Sequence, residues 1–240
     1  MTTQTQIKNG RRGEAGNVLF LILIAVALFA ALSYAVTQST RSGGGDASSE
    51  KSLVSSAALT QYPASIKTGI TRMIISNGVA VEDLLFTKPV DFTDDLTTDA
   101  LRKRGVFYST GGGVTYSDAP KDVVTTATGP WIFNAENEVV NIGTTAASGV
   151  TTATADVIAF LPNVTKGVCD KIHEQLGLAK TYPTIAVNAT LMMEVGHVGI
   201  PASPAGARIT SAVLDGQPQG CVSNGGTPVV YTYYHVLVER

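Results

Sequence analysis

The amino-acid sequence predicts an α+β protein whose helices come first and whose strands come last, with an apolar segment of membrane length ahead of both. Three features carry that prediction: an uncharged run from Val18 to Val36, apolar residues at three- and four-residue spacing between Leu59 and Ile74, and then short β-type runs separated by glycine- and asparagine-rich turns. The 240 residues could form one large domain or two small ones, and because composition does not shift after residue 50, residues 47–240 are read as one α+β domain.

Val18 to Val36 carries only Ser33 and Tyr34 as polar side chains. As a helix this run rises about 28 Å, close to the roughly 30 Å hydrocarbon thickness of a bilayer. Residues 17–38 are therefore read as a single-pass transmembrane helix. Lys8, Arg11 and Arg12 precede the span and only Arg41 follows it closely, so the positive-inside rule puts residues 1–16 in the cytoplasm as a basic leader and the rest outside. A cleaved secretory signal is the competing reading, since Ser33-Tyr34-Ala35 offers small residues where a signal peptidase reads. Against it, the apolar stretch exceeds the ~7 to 15 residues of a usual signal core. Residues 43–240 hold 13 basic and 18 acidic side chains. That mildly acidic exported part lacks the basic stripe that nucleic-acid binding needs.

After the span, Ser42-Gly43-Gly44-Gly45 predicts a break, because consecutive glycines cost backbone entropy in a helix; residues 39–46 are read as a glycine-rich hinge. Asp46 or Ser48 can then cap a second, amphipathic helix whose apolar stripe is Leu59, Tyr62, Ile66, Ile70, Met73 and Ile74, kinked or divided at Pro63 and ended by Asn77-Gly78. A short helical turn is expected over 81–86.

The remainder reads as an antiparallel β-sheet head with one short helix. Val106–Tyr108 and Val114–Tyr116, around Gly111-Gly112-Gly113, suggest one hairpin; Trp131–Phe133 and Val139–Ile142, with polar Asn134–Glu138 between them, suggest another. Residues 144–154 read as a loop, and Asp156–Leu161 as a buried strand. Pro162 or Asn163 is expected to open a helix with Val164, Val168, Ile172 and Leu176 on one face and Gly177 at its end. Further strand candidates are Ile185–Val187, Leu191–Ile200, Ala207–Leu214 and Val229–Val238, the last apolar on both faces as an internal strand would be.

The sequence offers little chemistry. His173, His197 and His235 fall in no catalytic or metal-binding spacing, and Glu194 and His197 would face opposite ways on a strand. No G-x-S-x-G occurs, and the triple glycine at 111–113 is followed by no Gly-Lys-Ser/Thr. Asp91, Asp94, Asp95 and Asp99 are the one candidate ion site, as clustered carboxylates can ligate calcium, although their spacing fits no EF-hand. A solvated, helix-capping acidic loop is the plainer reading. No catalytic residue, cofactor or other metal is expected.

Cys169 and Cys221 are the only cysteines, and an even pair in an exported domain is expected to form a disulfide. Closing that loop would stabilise the fold by roughly 4 kcal/mol. His173, one turn after Cys169, could share its face, but two such ligands do not make a zinc site.

The stretch Arg11-Arg12-Gly13-Glu14-Ala15-Gly16-Asn17, running into Val18-Leu19-Phe20-Leu21-Ile22-Leu23, resembles the start of a type IV pilin-like or pseudopilin-like protein. The resemblance covers about 25 residues, together with the general architecture and the late cysteine pair. It implies cleavage by a prepilin peptidase after Gly16, or alternatively after Gly13, and a structural role among other pilin-like subunits or secretion machinery at the inner membrane. Two departures stand out. The glutamate usual five residues into the mature helix is Leu21 here, or Val18 for a cut after Gly13, which favours a minor or tip role. The triple glycine at 43–45 interrupts a helix that pilins keep continuous. The Gly-Asn start is also similar to pilus-associated proteins of the tight-adherence type. The expectation is a non-enzymatic subunit of a type IV pilus or type II secretion-type assembly; the alternative is an anchored or secreted binding module that does not polymerise.

Overall fold

A computed structural model describes residues 15–151, 153–195 and 206–240. The chain divides between Ser49 and Glu50 into two compact units. Helix α1 (Ala15–Asn77) gives its first part to one unit and its second part to the other. In the second unit follow two 3-10 turns (Val81–Asp83 and Pro89–Asp91), α2 (Phe92–Asp95), α3 (Asp99–Arg104), β1 (Ile132–Val139), β2 (Asp156–Val164), α4 (Lys166–Gln175), β3 (Arg208–Ile209), β4 (Gln219–Ser223) and β5 (Tyr231–Val238).

The expected hinge, residues 39–46, falls within α1. The backbone is helical through residues 43–45 and through Pro63, so α1 is neither interrupted at the glycines nor divided at the proline. Nucleation is the costly step of helix formation, and glycines flanked by established helix cost only about 1 kcal/mol each. The boundary between the units falls at Ser49, shortly after the glycines.

The expected spacing does place one face of α1 in the core. Leu59, Ile66, Ile70 and Met73 are fully buried, in one cluster with Trp131, Phe133, Val157, Leu161 and Tyr233 of the sheet. Phe86 stacks on Phe133, with ring centroids 4.7 Å apart, and extends that cluster. Ile158, Phe160, Val222, Tyr234 and Val236 form a second cluster. Alternate residues of β2 and β5 thus enter different clusters, so both faces of the sheet are covered and apolar residues follow one another in both strands.

The sheet has the order β3-β1-β2-β5-β4, and it is mixed rather than antiparallel, because β3 runs parallel to β1. β5 is internal, as its sequence suggests. Three expectations fail in instructive ways. Asn134–Glu138 is no turn: it is the middle of β1, with Asn134, Asn137 and Glu138 buried. The Asn134 side-chain amide donates to the carbonyls of Asn188 and Leu191, and that of Asn137 also donates to Asn188 O, so these polar groups fasten the 188–193 segment along the sheet. Residues 106–116 form turns rather than a hairpin. A Cβ at Gly111 would lie 2.1 Å from Gly105 O, so close backbone approach, not strand reversal, requires glycine there.

β2 extends through Pro162 and Asn163, where its register with β5 shifts, and α4 starts only at Lys166. A proline inside a strand is tolerated at such an irregularity. Gly177, at φ +69°, follows α4 as expected. Of the later strand candidates, Ala207–Leu214 contracts to the two residues of β3, residues 185–187 and 191–195 stay irregular, and the rest of the candidate Leu191–Ile200 lies outside the described residues.

β4 borders the sheet, and three of its outward backbone groups are closed off. Cys221 N–H donates to His173 Nε2 at 3.0 Å, Ser223 N–H to Pro183 O at 2.9 Å, and Ser223 O accepts from Ile185 N–H at 3.0 Å.

Candidate functional site

Three places bear on function: the apolar part of α1, the node around the disulfide, and a cleft along the second part of α1. Val18–Gln38 is long and apolar enough to cross a membrane, and none of it is buried in protein. Phe20, Leu23, Val26 and Phe29 are each more than half exposed although they point to different sides of the helix. A helix apolar all round needs a non-aqueous surrounding. Near its end Thr37 Oγ1 donates to Ser33 O at 2.6 Å, and Gln38 Nε2 to Tyr34 Oη at 2.7 Å, which satisfies polar groups within the helix itself. Gly16 lies in the first turn of α1 as described; Gly13 lies outside the described residues.

The disulfide between Cys169 and Cys221 forms as expected, with Cα atoms 5.9 Å apart, and ties α4 to β4. His173 shares the face of Cys169, as the spacing suggests, and it too reaches β4. Its Nε2 accepts from Cys221 N–H, so Nδ1 carries the proton and donates to Ala179 O at 2.8 Å. Burial holds His173 below the ordinary histidine range, against the hydrogen bond to Ala179 and the charge of Asp170. Both ring nitrogens are thus occupied by backbone partners. His235, in β5, is pushed down to about 4, first by burial and then by the charge of Lys67. The Tyr233 hydroxyl donates to Gln219 Oε1 at 2.7 Å and meets His235 Nδ1 at 2.9 Å as an acceptor. His197 lies outside the described residues.

The acidic run is spread over several short elements. Asp91 ends a 3-10 turn, Asp94 and Asp95 belong to α2, and Asp99 opens α3, where Thr98 caps Leu101 N–H and Asp99 pairs with Arg102 at 3.0 Å. Carboxylates in a first helical turn meet the positive end of the peptide dipoles. Among the described residues, no group of three or more His, Cys, Asp and Glu side chains is placed to hold a metal ion, so the calcium candidate Asp91, Asp94, Asp95 and Asp99 does not converge.

The cleft is a feature the sequence does not announce. It measures about 570 Å³ and lies between Tyr62, Ser65, Thr68 and Arg72 of α1 and residues 112–117. Arg72 Nη2 donates to the carbonyls of Gly111 and Gly112, which holds the glycine loop against the helix. Tyr62 Oη accepts Ser117 N–H at 3.1 Å, and burial raises the Tyr62 phenol to about 12. The amides of Gly111, Gly112, Gly113 and Val114 all donate to backbone carbonyls, so the loop presents no nest for a phosphate. Gly69, buried within the apolar stripe and facing Val114, is the one sequence signal of this close approach.

Comparison of the chain with known protein families, with curated proteins and with solved structures finds no match.

Proposed function

We propose that this chain is a non-enzymatic structural subunit of the minor-pilin or pseudopilin kind, working in a type IV pilus or type II secretion-type assembly. On this reading α1 anchors the chain in inner-membrane lipid with residues 1–16 in the cytoplasm, a prepilin peptidase cuts after Gly16, and the α+β unit faces the periplasm or the exterior. The observation that carries it is the all-round exposure of the apolar stretch Val18–Gln38, directly after a basic segment and Gly16. Lipid before assembly and neighbouring subunit helices after it are both surroundings such a surface accepts. N-terminal sequencing of the membrane-extracted protein tests this. A mature chain starting at Asn17 is expected; one starting at Met1 or at Val36 would sink the proposal.

The second reading is an anchored binding module that does not polymerise, and the cleft beside Tyr62 and Arg72 is what favours it. Chemical cross-linking in intact cells separates the two. Ladders of the chain with itself or with pilin-like proteins support the subunit, whereas a monomer throughout supports the binding module.

A further inference from the structure

Two acidic side chains, Asp156 at the start of β2 and Glu138 near the end of β1, are fully buried in the same part of the sheet. Asp156 uses both carboxyl oxygens as fasteners. Oδ2 accepts Val139 N–H at 2.9 Å, and Oδ1 accepts Arg240 N–H at 3.0 Å. Arg240 is held from its other side as well, since its carbonyl accepts Thr144 N–H. One buried carboxyl thus joins the end of β1, the start of β2 and the residues that follow β5.

The charges around it are poorly matched. Glu138 Oε1 meets Arg208 Nη2 of β3 at 3.3 Å, but Glu138 Oε2, Arg208 Nε and Arg240 Nη1 are buried with no hydrogen-bond partner among the described residues. Among the described residues, the charged groups acting on Asp156 are Glu138 from β1, itself paired with Arg208 from β3, and Glu239 beyond β5, while Arg240 reaches it through its backbone N–H. Burial removes a second carboxylate's hydration, and two like charges nearby oppose ionisation further.

We propose that Asp156, set beside Glu138, is a proton-operated latch: with the proton bound it holds Val139 and Arg240 to the sheet, and loss of the proton favours their release. Burial raises the Asp156 carboxyl to about 7, with Glu138 and Glu239 adding to it and the two backbone N–H donors opposing. Neutral Asp156 keeps acceptor capacity for both donors. In the opened state the carboxyl is in water and ionises at its ordinary value near 3.8. Opening therefore becomes easier as pH rises from about 4 to about 7, by up to about tenfold per pH unit, and levels off above that. A rise in pH through this range, not a fall, loosens this end of the sheet.

Hydrogen exchange of the full chain in detergent micelles, corrected for the intrinsic rate at each pH, reads the latch directly. Protection of the Val139 and Arg240 amides is expected to fall about tenfold per unit from about pH 5 to about pH 7 and then stay constant. Asp156→Asn should abolish that slope. Should Asp156→Asn fail to fold, Glu138→Gln serves instead, and the levelling-off should move to lower pH because one opposing charge is gone. Wild-type protection that does not change over this range, or a carboxyl carbon titration placing Asp156 in the ordinary aspartate range, would overturn the proposal.

Discussion

Val18–Gln38 and Leu59–Met73 belong to one helix, α1, and both are rich in aliphatic side chains, yet they meet their surroundings in opposite ways. The first exposes Phe20, Leu21, Val26, Leu28 and Phe29 on all sides. The second buries Leu59, Ile66, Ile70 and Met73 and turns Ala64, Thr68 and Thr71 outward. Arrangement, more than amount, decides the solvent. A stripe at helical spacing finds its cover within the same chain, whereas a helix apolar all round must find it in lipid or another molecule.

That contrast can be broken region by region. The largest effect is expected from replacing Cys169 and Cys221 together by serine, which should lower the thermal stability of the residues 50–240 unit by roughly 4 kcal/mol while leaving membrane extraction unchanged. Ile66→Ala should cost about 3 kcal/mol in denaturant unfolding of the same unit, again without loss from the membrane fraction. Leu28→Arg should do the reverse. An arginine near the middle of the span costs about 3 kcal/mol on insertion, so carbonate extraction should release part of the protein while the unfolding midpoint of the other unit holds. Ala64→Lys, on the exposed face of the second region, should change its stability by no more than about 0.5 kcal/mol.

A different kind of effect is expected in pH dependence. The folded form holds His235 at about 4, below its ordinary value, so it resists protonation there. The stability this represents is present above about pH 6.5 and is lost as pH falls toward about 4. His235→Gln should make that acid limb of a thermal-melt profile shallower.

Local patterns account for what the sequence revealed. The apolar run, the stripe of α1, the helix after β2 and the pairing of Cys169 with Cys221 each rest on residues close in the chain or on the only available partner. β1 was hidden because Asn134, Asn137 and Glu138 look like turn residues until their partners arrive from Asn188, Leu191 and Arg208, more than 50 positions away. β4 was hidden for a related reason. Gly220 and Cys221 carry little strand signal, and what fixes them is the disulfide, His173 and pairing with β5. The same holds for the cleft, which exists only once Arg72 draws in the glycine loop.

The closed border of β4 has a consequence for how these molecules can meet. An open sheet edge is a template on which a strand from another chain can add, with aggregation as the common result. Here His173 and the Pro183–Ile185 backbone already occupy the hydrogen-bonding positions that such an intruder would use, and β3, at the opposite border, is only two residues long. Strand addition along Cys221–Ser223 of β4 is therefore disfavoured. A strand from a second molecule would have to displace the bonds of Cys221 and Ser223 before it could add at β4.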